Sequence, residues 1–215
     1  MYKAKITKEE VNNLPAAAYN GLITVIDKPE LVGDAVKFLR AQSVVGIDTE
    51  TKPTFASNQH NSVALLQVAT LDRCFLFRLN KINFSEELSD FLEDEKVKKI
   101  GLAVRDDFAG LNRQRKFKPA NSIDLQNIVR NYGILELGLQ KIFAIVFGQK
   151  ISKSQRLSNW ENPTLTPQQQ LYAATDAWAT LLIYSKLSGE PTLSQSEINR
   201  IIAENTPQPP INENL

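Results

Sequence analysis

Short apolar runs separated by polar segments predict strands in the first third of the chain. The runs with the alternation and β-branched content of strands cover residues 21–26, 44–50, 63–69 and 74–79. A short turn joins the last two runs, so we expect the successive strands to form a meander with mostly antiparallel pairing. Between the first two strands, apolar residues at helical spacing predict a helix over residues 28–41.

Helical periodicity dominates the second half of the chain. Helices are predicted over residues 85–93, 108–116, 124–131, 137–147, 168–187 and 195–204, with short strands over residues 97–104 and at Ile123. The longest of these helices has an expected apolar stripe of Leu171, Ala174, Trp178, Leu181 and Leu182. Strands followed by alternating helices and strands indicate an α/β fold, in which helices flank a mixed sheet.

The length of the chain, 215 residues, favours a single domain. We expect a polar lead-in over residues 1–20, the domain itself over residues 21–190, and a last helix with a disordered tail over residues 191–215. The chain begins without an apolar signal core, and none of its apolar runs has membrane-spanning length. The sequence therefore predicts a soluble, cytoplasmic protein that has no membrane partner.

Composition excludes several kinds of site. The single cysteine, Cys74, lies in a predicted strand and fits a reducing compartment. The single histidine, His60, would have to carry any serine-hydrolase triad or histidine-rich zinc site alone. The net charge of +1 excludes a uniformly basic chain, but residues 96–118 carry eight basic and two acidic side chains. Such runs are ordinarily solvated surface, and beside metal ligands they also favour contact with phosphate.

Acidic residues interrupt the apolar pattern at two predicted strands. Asp48 and Glu50 lie two positions apart in an apolar strand, so they share one face. Asp106 and Asp107 follow another apolar run, residues 97–104, where they could also serve simply to begin a helix. Burying carboxylates among valine and isoleucine is costly without a partner. The pattern therefore favours a divalent metal site, because hard cations prefer oxygen ligands.

The predicted long helix supplies a third acidic position. Tyr172 and Asp176 stand four residues apart and share a helix face, although a core tyrosine and a solvated acid would look the same. Two-metal hydrolysis of a phosphodiester needs carboxylates that converge from several elements. We expect Asp48 to bridge two ions, Glu50, Asp107 and Asp176 to complete the ligand set, and Tyr172 to contact the attacking water or the phosphate.

Five segments together carry a resemblance to a known family. They are Val45–Gly–Ile–Asp–Thr–Glu50 and residues 63–68, 99–107, 158–160 and 171–177. In these segments the chain resembles the DEDD superfamily of 3′–5′ exonucleases, most of all the branch with ribonuclease D and the Werner syndrome exonuclease domain. The resemblance covers residues 22–188. Its register favours Asp107 over Asp106, and Tyr172 stands where the tyrosine subgroup carries its tyrosine.

The resemblance implies a ribonuclease-H-like fold and removal of nucleotides from a DNA or RNA 3′ end with two Mg²⁺ or Mn²⁺ ions. It implies Asp48, Glu50, Asp107 and Asp176 as metal ligands and Tyr172 as a catalytic residue. Phe55 and Leu66 are candidates to wedge terminal bases, and Lys153 and Arg156 are candidates for phosphate contact. Two alternatives stay open: a non-catalytic nucleic-acid-binding module on the same fold, and an endonuclease on the related ribonuclease H architecture.

Overall fold

A mixed sheet forms the centre of the computed structural model, which describes residues 1–54 and 61–206. Its strands are β1 (Leu22–Ile26), β2 (Val44–Thr51), β3 (Val63–Ala69), β4 (Arg73–Phe77), β5 (Lys98–Gly101) and β6 (Ser122–Asp124). They lie in the order β1-β4-β3-β2-β5-β6. Strands β2, β3 and β4 pair antiparallel, as the meander prediction requires, and the remaining pairs are parallel. The strand that carries Asp48 and Glu50 is therefore central.

Helices cover both faces of the sheet. They are α1 (Lys8–Asn12), α2 (Val32–Arg40), α3 (Leu79–Ile82), α4 (Glu86–Glu93), α5 (Val104–Gln114), α6 (Leu125–Ile128), α7 (Leu139–Phe147), α8 (Pro167–Ser188) and α9 (Gln195–Asn205). Local signals set several of their ends: Ser85 caps α4, and Gly148 ends α7 in the left-handed conformation at φ 63°. Thr166 and Gln169 form a capping box at the start of α8. No helix among the described residues is long and apolar enough to cross a membrane.

Gly46 lets α8 approach the sheet closely. A Cβ atom added at Gly46 would lie 1.9 Å from the carbonyl oxygen of Ala177 on α8. Because side chains alternate along a strand, Gly46, Asp48 and Glu50 share the face that α8 covers. The opposite face of β2 presents Val45 and Ile47 to the core beneath α2, α4 and α5. The close contact at Gly46 therefore brings α8 onto the face that carries the acidic residues.

The expected apolar stripe of α8 is wrong at Leu171, which is 40% exposed. The helix is enclosed on more than one side, because it packs on the sheet and also against α7, where the rings of Phe143 and Trp178 lie 6.0 Å apart. Alanines at positions 173, 174, 177 and 179 are fully buried and allow these close approaches. A buried central helix is apolar around most of its circumference, so a one-stripe pattern does not describe it.

The helix after β5 begins earlier than predicted. The sequence assigns residues 97–104 to a strand, whereas β5 ends at Gly101 and α5 begins at Val104. Ala103 takes the left-handed conformation, with φ 55° and ψ 32°, and turns the chain within this short link. Asp106 and Asp107 consequently lie in the first turn of α5.

The first twenty residues pack against the domain. Ile6 and Val11 are buried beside Ala144 of α7. The backbone of residues 15–17 pairs with Lys150, and the Tyr19 N–H donates to Oγ1 of Thr175 on α8 at 3.0 Å. The polar pattern of this segment did not predict these contacts, because backbone hydrogen bonds and few apolar side chains make them. At the other end, Gln195–Asn205 forms the predicted last helix, and the expected tail lies beyond the described residues.

Candidate active site

Three carboxylates converge where β2 meets α8. Asp48, Glu50 and Asp176 each offer a carboxylate oxygen, and these oxygens lie within 4.8 Å of one another. Strand alternation places the first two side chains on one face, and the close contact at Gly46 brings Asp176 over that face. A cation bound to oxygen at about 2.0–2.6 Å would reach all three with slight adjustment. The sequence predicted four converging carboxylates, and these three of the four lie within this distance of one another.

Asp107 reaches the same region from α5. Its Oδ1 accepts a hydrogen bond from the hydroxyl of Thr49, the residue between Asp48 and Glu50. Asp107 is half-buried, whereas its neighbour Asp106 is exposed, because successive helix positions point about 100° apart. Burial and then the charge of Asp48 raise the pKa of Asp107. The geometry thus favours Asp107 over Asp106.

Burial makes this group of carboxylates difficult to ionise. Desolvation raises the pKa of Asp48 to about 7. Desolvation and then the charge of Asp48 raise the pKa of Glu50 to about 10. Desolvation also raises the pKa values of Asp107 and Asp176 well above their ordinary range. Like charges in a dry site cannot all be present at neutral pH unless a positive charge joins them.

Tyr172 lies one helical turn before Asp176 and within the site. Burial and then the charge of Asp176 raise the pKa of its phenol above the ordinary value. The Trp160 ring is fully buried with its centroid 6.0 Å from that of Tyr172. Trp160 therefore packs against Tyr172 and restricts the positions that its ring can take.

Two basic residues face the acidic cluster across a cavity of about 190 Å³. Lys153 and Arg156 line this cavity together with Tyr172 and Asp176. The positive charge of Arg156 opposes the rise in the pKa of Glu50, and that of Lys153 opposes the rise in the pKa of Asp176. Both predicted phosphate-contact residues are therefore at the site.

The two predicted base-wedging residues fare differently. Leu66 is fully buried and pairs with Thr49, so it points into the core on the sheet face opposite Asp48. The prediction that Leu66 contacts nucleic acid is wrong. Successive residues of a strand point to opposite faces, so a shift of one residue changes the face that a side chain joins. Phe55 lies outside the described residues.

Sequence reasoning missed two residues that support the site. Thr49 was passed over because strand alternation points it away from Asp48 and Glu50. Asp124 was predicted only as a helix cap, and its Oδ1 does accept the Gln126 N–H at 3.0 Å. The same oxygen accepts the Ala103 N–H at 3.0 Å and so holds the left-handed link that begins α5. The available signal was the short spacing in the sequence between the apolar run that ends at Gly101 and the acidic residue Asp107.

Comparisons with known proteins agree with this geometry. A family model described as 3′–5′ exonuclease matches residues 23–190. The mouse bifunctional 3′–5′ exonuclease/ATP-dependent helicase WRN is 32% identical in an alignment of 186 residues that covers 82% of this chain and 13% of that protein. The chain thus spans a small part of this relative's length.

Solved structures share the fold at lower identity. The Aedes aegypti Nibbler EXO domain superposes with a TM-score of 0.74 and 21% identity, covering 87% of this chain and all of that domain. Trypanosoma brucei RNase D, crystallised with RNA U12, gives a TM-score of 0.71 and 21% identity over 86% of this chain and 70% of that one. The predicted ribonuclease-H-like α/β architecture is confirmed. With the family match over residues 23–190, the chain belongs to the 3′–5′ exonuclease family.

Proposed function

We propose that the chain hydrolyses the terminal phosphodiester bond at the 3′ end of DNA or RNA and releases nucleoside 5′-monophosphates. The convergence of the Asp48, Glu50 and Asp176 carboxylates within 4.8 Å carries this proposal. The family to which the chain belongs supports attack from the 3′ end. The solved complex of T. brucei RNase D with RNA supports a nucleic-acid substrate for this chain as well.

The donor set suits two hard cations such as Mg²⁺ or Mn²⁺. The ligands on offer are oxygens, which both ions accept. Burial raises the pKa values of Asp48 and Glu50, so a bound cation would favour their ionised forms. We assign Asp48 as the ligand shared by both ions, with Glu50, Asp107 and Asp176 completing the set. These four residues would hold two divalent cations, which would supply an activated water and charge stabilisation for the leaving oxygen.

The chain's own side chains hold and orient the substrate. Lys153 and Arg156 line the cavity beside Asp176, where they can bind a backbone phosphate of the substrate. Tyr172 places a hydroxyl at the same cavity, so it can hydrogen-bond the attacking water or the scissile phosphate once a substrate is present. The indole of Trp160 keeps the tyrosine ring in place for this contact.

Two broader assignments belong to the same proposal. We assign the catalytic unit to residues 21–190, which the family match over residues 23–190 supports. We also place the protein in the cytoplasm, which its one free, buried cysteine supports, because that compartment keeps thiols reduced.

A labelling experiment tests the activity directly. Single-stranded RNA and 3′-recessed DNA, each labelled at the 5′ end, are incubated with the protein and Mn²⁺ or Mg²⁺. We expect a ladder that shortens from the 3′ end and disappears with EDTA or with Asp48→Ala. Comparing the two substrates decides which sugar is preferred. Internal fragments instead of a ladder would favour an endonuclease.

A matched pair of substitutions tests Asp107 as a metal ligand. Asp107→Ala removes the half-buried carboxylate, whereas Asp106→Ala removes its exposed neighbour. We expect Asp107→Ala to lower the rate of trimming by at least about 10³-fold, as the loss of a charge-stabilising group does. Asp106→Ala should leave that rate within about twofold of the wild type. An unchanged label in every lane, from protein that circular dichroism shows to be folded, would favour the non-catalytic binding module.

A further inference from the structure

One uncharged residue contacts two of the proposed ligands at once. The backbone N–H of Thr49 donates to Oδ1 of Asp48 at 2.9 Å, and its side-chain hydroxyl donates to Oδ1 of Asp107. We propose that Thr49 is a positioning residue that holds the Asp107 carboxylate at the metal site, an inference that rests on the function proposed above.

The direction of the Thr49 side chain explains why this contact is needed. Asp48 and Glu50 point to the α8 face of the sheet, whereas Thr49 points to the opposite face, towards which α5 packs. Asp107 comes from α5, so it does not belong to either element that carries the other three ligands. The Thr49 hydroxyl joins β2 to α5 at the level of the site.

Asp124 and Thr49 fix different parts of the α5 approach. Asp124 binds the Ala103 N–H and so sets where the helix backbone begins. The orientation of the Asp107 carboxylate is a separate matter, since the side chain can rotate about its own bonds. A hydrogen bond to Oδ1 fixes that orientation and leaves Oδ2 to bind a cation, which is how outer hydrogen bonds orient metal ligands generally.

The orientation of the Asp107 carboxylate depends on this donor, because the Thr49 hydroxyl bonds one of its two oxygens directly. Asp107 is half-buried, so part of its surroundings is solvent. Without the hydroxyl, the carboxylate can rotate towards that solvent. The second ion would then lose a ligand although all four carboxylates remain in the chain.

Two substitutions separate the hydroxyl from the rest of the side chain. Thr49→Val keeps the β-branched shape that suits a strand and removes the donor, whereas Thr49→Ser keeps the donor and removes a methyl group. The 215-residue chain is titrated with Mn²⁺ by calorimetry, and trimming of a labelled oligonucleotide is measured in parallel. We expect Thr49→Val to weaken Mn²⁺ binding and lower turnover by about 10- to 100-fold, and Thr49→Ser to stay within about threefold of the wild type.

The Asp107→Ala background distinguishes positioning from general damage. In that background we expect Thr49→Val to produce no further loss of Mn²⁺ affinity, because the group that it orients is already gone. If Thr49→Val binds Mn²⁺ and trims like the wild type while Asp107→Ala is inactive, the role of Thr49 is refuted and the proposed function stands. If Asp107→Ala itself keeps wild-type activity, the ligand assignment of the proposed function fails first. Should Thr49→Val not fold, a wild-type Mn²⁺ affinity of folded Thr49→Ala would refute the inference equally.

Discussion

The chemistry of single residues in this site depends on which way each side chain leaves the backbone. Tyr172 and Asp176 share a helix face and line the same cavity. The phenol thus lies beside a proposed metal ligand without being one itself. Removing the hydroxyl should therefore separate catalysis from metal binding.

The Tyr172→Phe substitution tests this separation. We expect turnover to fall by about 10- to 100-fold, because a group that orients the attacking water is lost, while Mn²⁺ affinity stays within about threefold. Both quantities come from a trimming assay and calorimetry on the same preparation. A normal turnover number would remove Tyr172 from the mechanism, and a large loss of Mn²⁺ affinity would make it part of the ligand shell.

Raised carboxylate pKa values predict an unusual pH dependence of stability. In the folded chain the pKa of Asp48 is about 7, against an ordinary value of 3.8 that applies when the chain is unfolded. Between these values the folded state binds more protons, so the free energy of unfolding of the metal-free protein rises as the pH falls. Glu50, with a pKa of about 10, extends the same trend above pH 7.

Thermal unfolding in EDTA between pH 8 and pH 5 measures this trend. We expect the melting temperature to increase towards pH 5, and the increase to shrink with saturating Mn²⁺, which keeps the carboxylates ionised. Asp48→Asn should reduce the slope, because its amide does not titrate. Equal slopes for the wild type and Asp48→Asn would show that burial does not perturb Asp48.

At the scale of elements, the contact between β2 and α8 assembles the site. A Cβ at Gly46 would approach the Ala177 carbonyl oxygen to 1.9 Å, and neither backbone can move freely. Any side chain at this position must push α8 away from β2, and Asp176 moves with the helix. Stability and catalysis therefore depend on the same close approach.

We expect Gly46→Ala to destabilise the fold by about 3 kcal/mol or more, at the upper end of overpacking effects, and to reduce Mn²⁺ affinity. Gly33→Ala is the matched control, since the nearest atom to its added Cβ is Glu87 Oε1 at 3.8 Å. In the α2 helix this change should be neutral or stabilising by about 0.5–1 kcal/mol. Chemical denaturation of both variants checks the pair, and equal stabilities would contradict the tight contact.

The same scale explains how much the sequence could predict. Local patterns located every strand of the sheet, because apolar runs and turn residues act on neighbouring positions. The predicted start of α5 was wrong, because the helix begins after the left-handed Ala103, whose N–H is held by Asp124 from another strand. The prediction that Leu66 contacts a base was wrong, because the face that its side chain joins depends on strand register. The prediction that Leu171 belongs to a buried stripe was wrong, because α8 is covered by α7 as well as by the sheet. Each error came from a contact between distant segments.

At the scale of the whole molecule, the net charge of +1 hides a local arrangement of opposite charges. Lys153 and Arg156 are exposed beside the acidic cluster, and the proposed substrate brings negative phosphates to them. Binding through such cations releases counterions from the nucleic acid, so affinity falls as salt increases.

Salt titrations of single-strand binding measure the contribution of each cation. With Asp48→Ala as an uncleaving background, we expect Lys153→Ala and Arg156→Ala each to weaken binding and to reduce the slope of log K against log salt by about 0.7. Lys37→Ala is the control, because Lys37 is exposed on α2, across the sheet from the site. If Lys37→Ala reduced the slope as much as Lys153→Ala or Arg156→Ala does, phosphate binding would not be confined to the cavity.

The packed N-terminal segment brings the two ends of the described chain together. Tyr2 donates a hydrogen bond to Glu190, just past α8, and Lys5 donates to the carbonyl oxygen of Asn205 in α9, at 2.8 Å each. Asp176 lies fourteen positions before Glu190, about 20 Å along the helix direction. Such a fold can be built into a larger polypeptide as a cassette, with the incoming and outgoing connections side by side and the catalytic cleft left free.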